Sequence, residues 1–198
     1  MPKKEPKYLL WWDCETTGLD HVVDPIVEVA VLVTDMHLNE IEGKRFHTLV
    51  DPGSWGMERL FGNAYVMEMH TKNGLVDEMK RGLPMLLEGA ESSIIAMVKH
   101  LPDVEEGAVL LAGSGVAAFD KQVIAAQMPR LNEVLDYRTI DVGHLRRFLK
   151  NVVDISDDLM PSQADDNHRA QGDVLNALEQ ARGMKNLLLN AVYNPPEN

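Results

Sequence analysis

The chain has 198 residues, of which 45% are hydrophobic, and its formal net charge is −12. This length supports one sizeable core, so we expect one domain over residues 1–198, with flexible tails at 1–6 and 191–198. The single cysteine, Cys14, excludes an intramolecular disulfide framework, and the apolar runs are too short to span a bilayer. Because no signal core follows the basic N-terminus, we expect a cytoplasmic location. The negative charge argues against a protein that coats long nucleic acid through phosphate contacts.

The apolar pattern in chain order predicts an antiparallel meander of three strands, at residues 8–12, 26–34 and 42–50, followed by alternating helices and strands. A polar, irregular stretch at 154–167 precedes one long amphipathic helix. This order predicts an α/β fold with one mixed sheet. The later elements are helices at 73–81, 85–100, 121–127 (ended by Pro129), 142–149 and 169–189, and strands at 108–112 and 136–140.

Two acids, Asp13 and Glu15, are predicted at the C-terminal end of the first strand. Residues two apart in a strand point to the same face, so the two carboxylates would repel each other and would be costly to desolvate. A hard divalent cation such as Mg²⁺ between them would remove that cost. The alternative is a strand end that frays into solvent and carries two ordinary surface acids.

Three further acids and a histidine stand where a structural account is weak. Asp120 follows a buried strand and a Gly-Ser-Gly turn, although an Asp at this place could also be a helix N-cap. His168 and Asp173 lie five residues apart at the start of the last helix. Alternatively, His168 or Asn167 caps that helix and Asp173 is a solvated acid. Glu28 lies inside the second apolar strand, where an acid needs a partner.

The order of these residues resembles the pattern of the DEDDh 3′→5′ exonucleases. In that pattern D-x-E comes at the first strand, an Asp follows a later strand, and H-x4-D opens a late helix. All of the positions are filled here, by Asp13, Glu15, Asp120, His168 and Asp173. The resemblance implies an α/β, ribonuclease-H-like exonuclease domain, with a mixed five-stranded sheet flanked by helices.

Several segments are more specifically similar to the oligoribonucleases. Residues 11–20 (WWDCETTGLD) resemble the opening of that family, and residues 69–75 (MHTKNGL) resemble its H-T-x-S-G-L segment. Residues 136–142 (DYRTIDV) and 168–170 (HRA) resemble its Y-R-x-x-D-V and H-R-A segments. The loop at 114–119 (SGVAAF) departs from the family and looks more like ribonuclease T and the proofreading exonucleases.

This resemblance implies a metal-dependent hydrolase with two divalent cations, Mg²⁺ or Mn²⁺. Asp13 would bridge the two ions, Glu15 and Asp173 would complete one site, and Asp120 would complete the other. His168 would accept the proton of the attacking water, since an unperturbed imidazole titrates near pH ~6.5. The substrate would be a short single-stranded oligonucleotide, RNA preferred, and the product a 5′-mononucleotide.

The same resemblance assigns the substrate contacts. Leu19 and Tyr65 match the apolar wedge and the stacking residue for the terminal bases, and His70 matches a residue near the terminal nucleotide. Arg138, supported by Tyr137, would bind the 5′-side phosphate from the neighbouring subunit, which implies a homodimer. The alternatives are a core aromatic for Tyr65, a satisfied loop side chain for His70 and a surface salt bridge for Arg138.

Two rival functions stay open. The loop at 114–119 favours a proofreading-like or ribonuclease-T-like exonuclease on longer single-stranded DNA or RNA, which the acidic composition and the segments at 69–75 and 136–142 oppose. A non-catalytic nucleic-acid-binding module on the same fold would be expected to have lost a metal ligand, and none is missing. The hard acidic ligands disfavour a structural zinc site.

Overall fold

The computed structural model describes residues 5–104, 107–162 and 168–193. Five strands form one mixed sheet in the order β3-β2-β1-β4-β5. The first three strands pair antiparallel as a meander, and β4 and β5 join on the other side of β1 in parallel pairs. This confirms the predicted α/β class and the mixed five-stranded sheet. The strands are β1 Tyr8–Thr16, β2 Ile26–Asp35, β3 Glu40–Leu49, β4 Val109–Gly113 and β5 Thr139–Asp141.

Helices cover both faces of the sheet, and two separate cores result. One face packs against α4, α5 and α6, and the other packs against α7 and α8. Alternation along β1 divides its side chains between the two cores. The helices are α1 Gly53–Gly62, α2 Ala64–Lys72, α3 Leu75–Arg81, α4 Leu87–Lys99, α5 Asp120–Gln127, α6 Pro129–Val134, α7 Val142–Asn151 and α8 Ala170–Tyr193.

β1 and β4 differ in where they end, and this difference opens space at one end of the sheet. β1 pairs with β4 only through Tyr8 to Trp11, whereas its pairing with β2 continues to Thr16. Beyond Trp12, the β4 side of β1 therefore has no neighbouring strand. The strand was predicted at residues 8–12. It extends further because β2 supplies backbone partners as far as Ile26.

Two helices between residues 53 and 72 were not predicted. Glycines make the first of them, α1, a weak helix by intrinsic propensity. Tertiary packing compensates, since Leu60, Val66 and Val76 form a third, small core that covers α1 to α3. Pro129 was expected only to end a helix, but it also begins α6. The N–H that proline lacks is one that the first helical turn leaves unpaired anyway.

Two other boundaries differ from the predictions. The last strand, expected at 136–140, is the short β5 at Thr139–Asp141. α8 continues to Tyr193, into the range where a flexible tail was expected. Residues 154–162 form no helix or strand, as predicted, whereas 163–167 and the tail residues 1–4 and 194–198 lie outside the described part of the chain. None of the described helices is long and apolar enough to cross a membrane.

Candidate active site

A cavity of about 310 Å³ lies where β1 runs past the end of β4. Residues from β1, the β4–α5 loop, α5 and α8 line it, together with His168, which lies two residues before the start of α8. The structure thus brings the acids and the histidine that the sequence singled out to one place. The five are Asp13, Glu15, Asp120, His168 and Asp173.

Asp13 and Glu15 lie within β1, and both face α8. The neighbouring residues Trp12 and Cys14 belong to the opposite core, so alternation puts the two acids on the same side. Asp173 projects from the first turn of α8 towards them. One carboxylate oxygen from each of the three acids lies within 4.8 Å of the others.

Such a group of carboxylates fits a hard divalent cation. Glu15 is buried and the other two are partly buried, so water screens their mutual repulsion poorly. Oxygen ligands from carboxylates are those that Mg²⁺ and Mn²⁺ prefer. The alternative of a frayed strand end with solvated acids is not observed, because β1 remains paired beyond Glu15.

Asp120 approaches the cavity from the other side of β1. It is the first residue of α5, and its carboxylate accepts hydrogen bonds from Trp12 Nε1 at 3.1 Å and from Cys14 Sγ at 3.2 Å. Phe119 is the N-cap of α5 and Asp120 lies one residue inside the helix, so the alternative role of Asp120 as an N-cap is not observed. Burial raises the pKa of Asp120 to about 6, and the two donors only partly counter that effect.

His168 lines the cavity and lies two residues before the start of α8. Its backbone has a φ of +49°, which is the left-handed region that a residue with a Cβ rarely adopts. The side chain of Asn73 donates a hydrogen bond of 2.5 Å to the His168 carbonyl. Asn167, the alternative cap, lies outside the described residues.

The acid inside β2, Glu28, has the partners that its burial requires. It is fully buried, and it accepts hydrogen bonds from Arg169, from His47 and from the backbone N–H of Ala170. Arg169 follows His168 directly, so this contact ties the start of α8 to the sheet. Although burial raises the pKa of Glu28, the hydrogen bonds from His47 and Arg169 bring it down to about 2.

His70 lies beneath the acids, inside α2, and is fully buried. Its Nε2 is 3.2 Å from the Thr16 carbonyl oxygen and 3.9 Å from Glu15 Oε2. Burial lowers the pKa of His70, which favours the neutral ring. Nδ1 is buried and has no hydrogen-bond partner in the described part of the chain. The loop position that was considered as an alternative is not observed.

The two residues expected to meet the terminal bases are exposed. Leu19 is 85% exposed and Tyr65 is 74% exposed, so Tyr65 is not a core aromatic. The loop that carries Leu19 is held by Asp24, which accepts hydrogen bonds from the Asp20 backbone and from Arg59 in α1. The hydrogen bond from Arg59 to Asp24 therefore fixes that loop against α1, the helix that precedes the one carrying Tyr65.

Tyr137 and Arg138 lie in the segment that leads into the edge strand β5. Tyr137 is 73% exposed, and the Arg138 guanidinium carbon is 5.7 Å from the centroid of its ring. Arg138 forms a salt bridge of 2.7 Å with Asp136, as the alternative interpretation proposed. The hydrogen bonds from Arg138 lower the pKa of Asp136 to about 2.

Sequence reasoning missed several residues that line the cavity. Asn176 and Gln180 lie one and two turns after Asp173 on the same face of α8. Their spacing of three and seven residues from Asp173 is a helical signal that could have identified them. Ser114 and Gly115 come from the β4–α5 loop, which Asp141 fixes by accepting hydrogen bonds from Gly115 and Ala117.

The chain is similar to known exonucleases over most of its length. The family model RNase_T, described as Exonuclease, matches residues 10–181. An oligoribonuclease of Cutibacterium acnes is 30% identical over 182 residues, which cover 91% of this chain and 86% of the relative. An oligoribonuclease of Tropheryma whipplei is 32% identical over 177 residues, or 88% of this chain and 90% of the relative.

Solved structures show the same fold. E. coli exonuclease I, in a structure with a 5cy-dT13 oligonucleotide, has a TM-score of 0.63 and 15% identity, and the match covers 96% of this chain. This chain spans only 42% of the length of that exonuclease I chain. Family membership implies divalent metal ions, and the carboxylates of Asp13, Glu15 and Asp173 provide a group that fits one. The chain therefore belongs to the exonuclease family and, within it, groups with the oligoribonucleases as a metal-dependent 3′→5′ exonuclease.

Proposed function

We propose that the protein releases 5′-mononucleotides from the 3′ ends of short single-stranded oligonucleotides, with RNA preferred and with two divalent cations, Mg²⁺ or Mn²⁺. One observation carries the proposal. The oxygens of Asp13, Glu15 and Asp173 lie within 4.8 Å of one another, and Asp120 and His168 line the same cavity. A non-catalytic binding module would have no need for this combination.

The acids have two roles in this proposal. Asp13, Glu15 and Asp173 would hold one ion, and Asp120, with Asp13 as the shared ligand, would hold the other. Bound divalent cations lower the pKa of water and neutralise charge that develops on the phosphate. With cations bound, an acidic surface that would otherwise repel phosphate would accept it.

His168 would act as the general base. It lies at the cavity, where its imidazole can take the proton of the attacking water and pass it to solvent. His70 is poorly suited to that role. Its side chain is fully buried, and its Nε2 faces the Thr16 carbonyl and Glu15. We assign it to supporting the floor of the site beneath the terminal nucleotide.

Leu19 and Tyr65 would hold the terminal bases. Both side chains are exposed, and the aromatic face of Tyr65 can stack on any base. Base–aromatic stacking contributes about 1–3 kcal/mol without sequence preference. The pair therefore supports a substrate that is single-stranded and not selected by sequence.

Arg138 and Tyr137 would bind the 5′-side phosphate of a partner subunit's substrate. They precede β5, which is an edge of the sheet, and Phe148 in the adjacent α7 and Val152 at the C-cap of that helix are exposed apolar residues. An open strand edge beside exposed apolar side chains supports a homodimer. A guanidinium can bind phosphate with two parallel hydrogen bonds, as it now binds Asp136.

A second candidate is an exonuclease for longer single strands, DNA included. The observation that favours it is the β4–α5 loop at 114–119, whose sequence departs from the oligoribonucleases. This loop contributes Ser114, Gly115 and Phe119 to the cavity wall, so a change here alters the space available to the substrate.

A digest separates the two candidates. The protein would be incubated with 3′- and 5′-labelled RNA and DNA oligomers, from dimers to about 20 nucleotides, in Mg²⁺ or Mn²⁺. Preference for RNA dimers supports the proposal, whereas equal rates on long DNA favour the second candidate. No release of mononucleotides from any oligomer would contradict both. Asp13→Ala is the control for contaminating nuclease.

A mixing experiment tests the contribution of the partner subunit. Asp13→Asn retains Arg138, and Arg138→Ala retains the acids. If Arg138 acts across the interface, mixed dimers combine one intact site from the two inactive parents, and activity returns. Persistent inactivity after subunit exchange, or a monomer by sedimentation, would contradict this part of the proposal.

A further inference from the structure

A cluster of charged side chains lies next to the cavity but does not line it. Glu28 is its centre, fully buried within β2. Glu28 is directly opposite Glu15 in the pairing of β1 with β2, so the two side chains lie next to each other on the face that α8 covers. Two neighbouring buried carboxylates repel each other strongly unless a cation compensates at least one of them.

Arg169 supplies the compensating charge to Glu28. Its guanidinium donates to both carboxylate oxygens, at 2.9 Å from Nη2 to Oε1 and 3.1 Å from Nε to Oε2. Ala170 donates its backbone N–H to Oε2 at 3.1 Å, and His47 Nε2 lies 2.7 Å from Oε1. Glu28 thus accepts from two consecutive residues, both directly after His168.

A second set of contacts holds the same segment from the side of α3. Glu78 accepts two hydrogen bonds from Arg169, at 2.6 Å and 3.2 Å. Asn73 donates to the His168 carbonyl at 2.5 Å. Residues 168–170 are therefore fixed between β2 and the α2–α3 region. We call Glu28, Arg169 and Glu78 the α8 anchor.

The backbone explains why an anchor is needed. His168 has a φ of +49°, a conformation that costs free energy for any residue with a side chain. Strained backbone persists only where the surrounding contacts over-determine it. Without the contacts of Arg169, the chain before α8 could relax, and the imidazole would leave its place at the cavity.

We propose that Glu28 and Arg169 are positioning residues, whose ion pair holds His168 in the orientation that the reaction needs. The inference rests on the proposed function, in which His168 is the base. It assigns no contact with substrate or metal to either residue. Its consequence is that the anchor acts on the rate through His168, and not through the carboxylates that bind metal.

Steady-state kinetics on an RNA dinucleotide with Mn²⁺ tests the proposal. Glu28→Gln removes the charge at nearly constant shape. The double variant Glu28→Gln/Arg169→Met avoids an unpaired buried charge, in case Arg169→Met alone fails to fold.

We expect kcat to fall about 10- to 100-fold in these variants, the range seen when groups that orient site residues are removed. KM and the Mn²⁺ affinity measured by calorimetry should stay within about 2-fold, since Asp13, Glu15 and Asp173 are retained. Arg169→Lys keeps a positive charge and should therefore retain more of the rate than Arg169→Met.

A double-mutant cycle shows whether the effect passes through His168. In a His168→Ala background, Glu28→Gln should cause no further loss of kcat, because the residue to be positioned is gone. An equal loss in both backgrounds, or a loss of Mn²⁺ affinity that parallels the loss of kcat, would overturn the positioning role.

The ion pair between Glu91 and Arg130 offers a matched control. Glu91 is a buried carboxylate that accepts hydrogen bonds from Arg130 at 2.8 Å and from the backbone N–H of Leu131 at 3.1 Å. It therefore anchors the start of α6, and none of these three residues lines the cavity. Glu91→Gln should lower thermal stability and leave kcat unchanged. A comparable fall of kcat in Glu91→Gln would reduce the Glu28 effect to general destabilisation and overturn the proposal.

The experiments distinguish a failure of the proposed function from a failure of the positioning role of Glu28 and Arg169. If the unsubstituted protein releases no mononucleotides, or if His168→Ala is fully active, the proposed function fails and the positioning role fails with it. If the protein is active and needs His168, but Glu28→Gln has the kcat of the unsubstituted protein, only the positioning role fails.

Discussion

Asp173 and Asp120 line the same cavity, but their carboxylates have different surroundings. Asp173 joins Asp13 and Glu15 in a group of acids whose oxygens lie within 4.8 Å. Asp120 is buried, and its carboxylate accepts from Trp12 and Cys14, which face the opposite core. One side of the site is thus a concentration of negative charge, and the other is a single carboxylate with neutral donors.

The difference shows that residue type alone does not decide how an acid behaves. The group around Asp173 needs a cation to offset mutual repulsion, whereas Asp120 can lower its own cost by taking up a proton. Burial raises the pKa of Asp120 to about 6, within reach of ordinary working conditions. We therefore expect the two sides to respond differently to substitution and to pH.

The largest effect is expected on the three-acid side. Asp13→Asn or Asp173→Asn should abolish metal-dependent release of mononucleotides, because each removes a ligand from the group that fits a cation. A labelled-oligonucleotide digest measures the activity, and circular dichroism melting checks the fold. Full activity in either folded variant would contradict the assignment of this side as the metal site.

Asp120→Asn should separate the two sides. The variant keeps Asp13, Glu15 and Asp173, so calorimetry should still show Mn²⁺ binding, but with fewer ions per chain than the unsubstituted protein. We expect the rate to fall by more than about 100-fold, beyond the range for residues that only orient ligands. Unchanged stoichiometry together with an unchanged rate would show that Asp120 binds no ion.

The stability of the metal-free protein should depend on pH through Asp120. Its folded pKa of about 6 exceeds the ordinary value of 3.8, so between these values the folded state binds more protons than the unfolded state. The contribution of Asp120 to the free energy of unfolding therefore decreases as pH rises through that window, by about 3 kcal/mol in total. Asp120→Asn removes this contribution.

Urea unfolding with chelator at pH 4 and pH 8 measures this effect. The variant and the unsubstituted protein should be nearly equal at the lower pH, and the variant should be the more stable at the higher pH. A constant difference between them at both values would contradict the raised pKa.

The smallest effect is expected from Cys14. Cys14→Ala removes one of the two donors to Asp120, a change worth about 1 kcal/mol for a neutral hydrogen bond. The rate should fall a few-fold at most, and Cys14→Ser, which keeps a donor, should lie closer to the unsubstituted protein. A loss as large as that of Asp120→Asn would show that Cys14 contributes more than this hydrogen bond.

Local sequence patterns were sufficient for much of the site. The alternation of a strand puts Asp13 and Glu15 on one face whatever the rest of the chain does. Apolar periodicity likewise identified the central strands and α8, and with them the mixed sheet. Periodicity failed at α1 and α2, where glycines and scattered methionines give a weak pattern, and the small core around Leu60 stabilises the helices instead.

The sequence by itself determined that Asp13 and Glu15 share a face and that the domain is α/β with one mixed sheet, because those properties follow from spacing along the chain. Only the tertiary structure decided the partners of the buried charges. Asp120 meets Trp12 and Cys14 across more than 100 residues, and Glu28 meets Arg169 across 141. Such contacts depend on how α5 and α8 pack on the sheet. Spacing along the chain therefore cannot specify them, nor can it specify the burial that raises the pKa of Asp120.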